Sequence, residues 1–159
     1  MDSDYLFDDF LQLLPSKVPL MPAVDVYAIT DKLDDTLLQV LARRLEARGR
    51  PPRFQAMLTE YLYAMNINTT RTILDMGCGT AVAARAIARR KGFTGKVTGI
   101  DFSAGLVRVA ERISATEGVG EQVEFLVGDT RLLNIPDEAF DAVVPHTLVS
   151  HVDGSTSRG

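Results

Sequence analysis

Gly77-Cys78-Gly79 stands between a short apolar run and an alanine-rich stretch. Glycines at such a junction let the backbone approach a ligand, and a helix that follows offers unpaired N–H groups. Alone, the same residues are equally a tight turn of small side chains. Three acids shift that balance. Asp75 precedes the turn, Asp101 ends the next apolar run 24 residues past Gly77, and Gly128-Asp129 ends the run after that. In a parallel sheet all three acids gather at the carboxyl edge, where an acid at this separation accepts hydrogen bonds from ribose hydroxyls. The set reads as a crevice for a nucleoside-type ligand. A dinucleotide fingerprint would need glycine where the chain has Val82, and a phosphate loop would need Gly-Lys-Ser/Thr where it has Thr80-Ala81-Val82.

Other reactive side chains are few. Cys78 is the single thiol, but a turn of this kind favours a small residue there, which outweighs a nucleophilic reading. Asp75 has a purely structural alternative, in which it holds the turn through backbone hydrogen bonds. His146 and His151 are the only histidines and both follow the fourth strand-like run. An imidazole there could take a proton from a substrate, and the blander reading is a solvated loop or a half-buried helix face. The pair lacks a third residue for a metal site. Arg89-Arg90-Lys91 reads as a helix-end charge cluster, not a nucleic-acid patch.

The elements that must position these residues follow from periodicity. The strands are Thr72–Met76, Lys96–Ile100, Val123–Val127 and Phe140–Val144. Between them lie a helix from Ala81 to Arg90 and a second, capped by Ser103, with Leu106, Val109, Ala110 and Ile113 on one face. Strand–helix–strand repetition implies a parallel sheet with right-handed crossovers. Two amphipathic helices precede it. Thr30 or Asp31 is placed to cap the first, which carries Leu33, Leu37, Leu41 and Leu45 and ends at Gly49, Pro51 and Pro52. The second carries Phe54, Met57, Leu58, Tyr61, Leu62 and Met65. A short amphipathic run from Leu6 to Leu14 stops at Pro15. These features divide the chain into an N-terminal segment with cap helices (1–66), an α/β core (67–153) and a flexible tail (154–159).

The 159 residues suffice for one domain, and 46% hydrophobic with 24% charged residues is an ordinary globular composition. Seventeen Lys and Arg against twenty-one Asp and Glu leave a net charge of −4, which disfavours a general polyanion binder. One cysteine excludes an internal disulfide framework and any multi-cysteine zinc site. No apolar stretch approaches the roughly 18 residues of a membrane span, and the first residues lack the pattern of a signal peptide. The expectation is a cytoplasmic, metal-independent protein.

Ile73-Leu74-Asp75-Met76-Gly77-Cys78-Gly79-Thr80, Gly99-Ile100-Asp101-Phe102-Ser103, Val127-Gly128-Asp129-Thr130 and Phe140-Asp141-Ala142-Val143-Val144 resemble, in order and spacing, the motifs of class I S-adenosylmethionine-dependent methyltransferases. The resemblance covers about residues 52 to 152 and is nearest in style to the small-molecule, ubiquinone-type branch. It implies an α/β Rossmann-like fold with S-adenosylmethionine as cofactor. Gly77, Cys78 and Gly79 would line the methionine portion, with Asp75 near its amino group. Asp101 would hold the ribose hydroxyls, Phe102 would pack on the adenine, and Gly128, Asp129 and Thr130 would border it, Asp129 accepting from the adenine amino group. His146 is the candidate base. Where the family often has a third glycine, this chain has Ala81.

The family implies seven strands in the order 3-2-1-4-5-7-6, and only fifteen residues follow Val144. Strands five to seven do not fit, so the chain reads as a fragment or a half-fold with order 3-2-1-4. Ala142, Val143 and Val144 then form an open edge, and self-association through it or through the N-terminal helices is expected. The expected reaction is methyl transfer to a small-molecule acceptor, with nucleic acid and membrane excluded as partners. A non-catalytic cofactor-binding remnant is the alternative.

Overall fold

The structure is a computed structural model describing residues 30, 32–69, 71–133, 135–136 and 138–145. Two helices come first, α1 (Asp35–Gly49) and α2 (Pro52–Ala64). Asp34, not Thr30 or Asp31, caps α1: its carboxylate accepts the Leu37 N–H at 2.9 Å. Asp31 and the run from Leu6 to Leu14 lie outside the described residues. Gly49 ends α1 without the left-handed conformation of a glycine cap. It is small for a different reason, since a Cβ there would lie 2.7 Å from Val82 Cγ1. Pro51 and Pro52 serve less as the stop of α1 than as the N-cap and first residue of α2, where a missing N–H costs nothing.

A 3-10 turn (Ile67–Thr69) leads to β1 (Thr72–Met76), α3 (Val82–Ala88), β2 (Lys96–Asp101), α4 (Ala104–Thr116), β3 (Val123–Val127) and β4 (Ala142–Val144). The four strands form one parallel sheet in the order β3-β2-β1-β4. The central β1 is apolar and buried on both faces at Ile73 and Leu74, as a strand between parallel neighbours must be. The Asp141 carboxylate accepts the Arg71 and Thr72 N–H groups at 3.0 and 2.7 Å, pinning the start of β4 beside β1. From β1 the chain crosses to β2 and β3 on one side, then returns to place β4 on the other. That reversal at β1 makes the carboxyl ends of β1, β2 and β4 the natural crevice of the sheet.

Two apolar clusters hold the assembly together. Leu58, Leu62 and Ile67 pack with Ile73, Ala84, Ile87, Val97 and Val144. Leu38, Leu41 and Ala42 of α1 pack against Leu106 and Val109 of α4. No helix among the described residues is long and apolar enough to cross a membrane.

Candidate functional site

β1 runs through Asp75 and Met76 into a turn where three of five residues take positive φ: Gly77 (67°), Gly79 (55°) and Ala81 (64°). The left-handed Ala81 is why α3 begins at Val82, one residue later than the periodicity predicts. It also gives the missing third glycine a physical meaning, because a Cβ at such a φ costs roughly 1–2 kcal/mol. The turn is tied across the sheet: Gly77 and Cys78 both donate N–H to the Ile100 carbonyl, at 2.8 and 3.0 Å.

Asp101 joins this turn to the next one. Its Oδ2 accepts the Gly79 N–H at 2.8 Å, and its Oδ1 accepts the Ser103 N–H at 2.9 Å. Ser103 caps α4 as expected, its hydroxyl accepting the Leu106 N–H at 3.3 Å. Asp75 Oδ2 accepts the Ala84 N–H at 3.3 Å, one of the four N–H groups that a helix start leaves unpaired.

Both acids are buried, at 1% and 6% exposure, and neither forms an ion pair with a described Lys or Arg. Burial raises the Asp75 carboxyl to about 7, against the Ala84 hydrogen bond and with the Asp101 charge adding to the rise. Burial also raises Asp101, opposed by the Ser103 and Gly79 amides. A pair of dry carboxylates without a cation is a setting that favours a positively charged ligand.

Cys78 is buried, and burial followed by the charges of Asp75 and Asp101 pushes its thiol well above the usual range, so the thiolate needed by a nucleophile is suppressed. Gly128 donates N–H to the Asp101 carbonyl at 2.9 Å, which brings the end of β3 to the end of β2. Asp129 follows. Its carboxylate caps the 3-10 turn Thr130–Leu132 through the Arg131 N–H at 2.9 Å and pairs with the Arg131 side chain, which holds the acid down at about 2. Phe102, directly after the end of β2, is 38% exposed.

The arrangement thus ties Gly77, Cys78, Gly79 and the end of β2 at Asp101 into one hydrogen-bonded unit, with Asp75 bound to α3 and within electrostatic reach of Asp101, and Phe102, Gly128, Asp129 and Thr130 along the adjoining strand ends. His146 and His151 lie outside the described residues. Two residues at this edge escaped the sequence reading. Tyr61 of α2 has its phenol raised by burial and then by the charge of Asp75, which puts α2 within electrostatic reach of the site. Arg85 of α3 is a buried guanidinium, and nothing in an alanine-rich helix distinguishes it from a surface arginine.

α1 crosses the N-terminal ends of both crossover helices. At one end Leu38 sits where a Cβ on Gly105 would be 2.3 Å away, Leu45 lies against Gly79, and at the other end Gly49 meets Val82. α1 thus passes beside the glycine turn at Leu45.

A family model described as a methyltransferase domain matches residues 73–158, more than half of the chain. A sterol 24-C-methyltransferase from Yarrowia lipolytica is 38% identical over 82 residues, 51% of this chain and 21% of that protein. A demethylmenaquinone methyltransferase from Geobacillus kaustophilus is 38% identical over 79 residues, 50% of this chain and 33% of that protein. The match spans a third or less of either relative. Among solved structures, the (4+2)-cyclase SpnF is similar with a TM-score of 0.53 at 28% identity, over 60% of this chain and 35% of that one.

Proposed function

The chain belongs to the methyltransferase-domain family of the class I superfamily, and from that premise we propose that it holds S-adenosylmethionine in the crevice and transfers the methyl group to a small-molecule acceptor. The observation that carries this reading is the Asp101 carboxylate bridging the glycine turn and the start of α4. Each of its oxygens spends one lone pair on a backbone amide and keeps another for a ribose hydroxyl.

The residues fit the cofactor. Asp101, and Asp75 in its ionised form, offer negative charge that no described Lys or Arg pairs to its cationic amino and sulfonium groups, Gly77, Cys78 and Gly79 offer a backbone surface, and Phe102 offers an exposed ring for the adenine. Gly128, Asp129 and Thr130 border the adenine in the same reading, with Asp129 ionised down to about pH 2 and hence an acceptor for an amino group. When bound, the cofactor supplies an activated methyl group on sulfonium. The protein's own part is to orient it, exclude water beneath α1, and receive a proton where the acceptor releases one. His146 is the residue proposed to take that proton at its imidazole.

The relatives' names point to sterol and quinone precursors as acceptors, which supports a small molecule and not nucleic acid or a membrane as partner. The alternative is binding of the cofactor without methyl transfer, since one scaffold can serve different chemistries. Incubation with S-adenosylmethionine and a panel of phenolic, enolic and alkene acceptors separates the two: release of S-adenosylhomocysteine supports transfer, and saturable binding with no turnover supports the second reading. Pairing of the β4 edge between copies belongs to the same proposal, as does a cytoplasmic setting, which the free buried thiol of Cys78 suits.

A further inference from the structure

Arg85 lies in the first full turn of α3 at 3% exposure, and its guanidinium reaches three elements. Nη1 donates back to the Thr80 carbonyl, Nη2 donates to Glu46 Oε2 of α1 at 2.7 Å, and Nε donates to Glu117 Oε2, at the C-cap of α4, at 3.1 Å. Arg89 shares the same Glu117 oxygen. In stability terms a buried ion pair is often no better than an apolar side chain of its volume. What a guanidinium adds is fixed geometry, since its planar fork sets several donors at once.

The place where that geometry acts is specific. Thr80 C=O belongs to the peptide unit whose rotation sets the φ of Ala81, the one non-glycine residue of the turn at positive φ. A strained dihedral persists only where its surroundings over-determine it. Arg85 grips the carbonyl that defines this dihedral. The same guanidinium holds Glu46, the neighbour of Leu45, which packs over Gly79. Thr80 Oγ1 and Glu46 Oε1 are buried with no hydrogen-bond partner among the described residues, so neither residue is held through its other side-chain oxygen.

We propose that Arg85 is a positioning residue that clamps the Thr80–Ala81 peptide of the glycine turn and locks α1 across it, keeping the cofactor surface in its binding shape before any ligand arrives. Its consequence for catalysis rests on the cofactor reading above, but the clamp itself is a property of the cofactor-free chain.

The test is therefore amide hydrogen exchange on the 159-residue chain without ligand. Gly79 N–H (to Asp101) and Ala81 N–H (to Cys78 C=O) report the turn, and Val97 N–H (to Gln122 C=O) reports the sheet. Arg85→Met is expected to speed exchange at Gly79 and Ala81 by about tenfold or more, with Val97 within about twofold of wild type. Arg85→Lys, which keeps charge without the fork, falls between. Adding Ala81→Gly to Arg85→Met should restore most of the protection, because glycine takes the positive φ unaided. Equal acceleration at all three amides, no change at the turn, or no rescue by Ala81→Gly each overturns the clamp. Should Arg85→Met fail to fold, Glu46→Gln weakens the α1 lock alone. Faster exchange at Gly79 without change at Val97 then supports the proposal, and unchanged exchange at Gly79 overturns it. Titration of the wild-type chain with S-adenosylhomocysteine reports on the cofactor reading separately, so the two can fail independently.

Discussion

Asp101 accepts the amide of Gly79 at 2.8 Å across 22 residues of sequence, so the acid at the end of β2 is a structural part of the turn after β1. The residue proposed to meet the ribose and the residues proposed to meet the methionine portion are one unit. Loss of either is loss of both.

Asp101→Ala orphans two buried amides, Gly79 and Ser103. The expected result is a stability loss of about 1–3 kcal/mol and binding of S-adenosylhomocysteine weakened by about tenfold or more. Asp101→Asn, which can accept on only one atom, should fall between. Thermal unfolding and calorimetric titration on the three proteins check the order.

Asp75 gives a pH signature with a definite sign. Its folded pKa of about 7 stands above the ordinary 3.8, so the fold favours the protonated acid. Its contribution is therefore fully present below about pH 4, falls as pH rises toward 7, and is lost above that, by roughly 4 kcal/mol at most. Asp75→Asn should remove this slope and make the ligand-free chain the more stable of the two at pH 8, while weakening affinity for the cationic cofactor. Asp129 and Asp141, whose pKa values are lowered, act in the opposite sense at low pH and are common to both proteins. Denaturant unfolding of both proteins between pH 4 and 8 isolates Asp75, and parallel curves would contradict its raised pKa.

Ala81→Gly relieves a left-handed alanine at φ 64°. Against the lost burial of one methyl group, the net gain is expected to be about 0.5–1 kcal/mol, visible as a higher midpoint in denaturant. Ala81→Val should destabilise, since branching at Cβ worsens the same clash.

β4 is an edge of the described sheet, and Val143 is 41% exposed on it. For the 159-residue chain in isolation, sedimentation at tens of micromolar is expected to reveal self-association. A monodisperse monomer would show the edge to be quiet, and a Val143→Lys variant that still associates would move the contact elsewhere.

Much of this frame was legible because it depends on local pattern. The limits of β1 and β3, the capping by Ser103 and the gathering of Asp75 and Asp101 follow from alternation, caps and strand ends. What escaped depends on contacts distant in sequence. Gly49 reads as a stop signal, yet its role is to let α1 approach Val82. Arg85 reads as a solvated helix residue because its partners, Glu46 and Glu117, come from two other elements. Ala81 reads as the first residue of a helix because alanine favours one, and its left-handed φ of 64° answers to contacts of the turn that the local pattern does not carry.

The most direct test of the account is calorimetric titration of the purified chain with S-adenosylhomocysteine, with NAD as the control. Binding in the micromolar range is expected, with none to NAD and a loss of about tenfold or more in Asp101→Ala. A folded chain that binds neither ligand, or binds S-adenosylhomocysteine equally well without the Asp101 carboxylate, would contradict the assignment of the crevice.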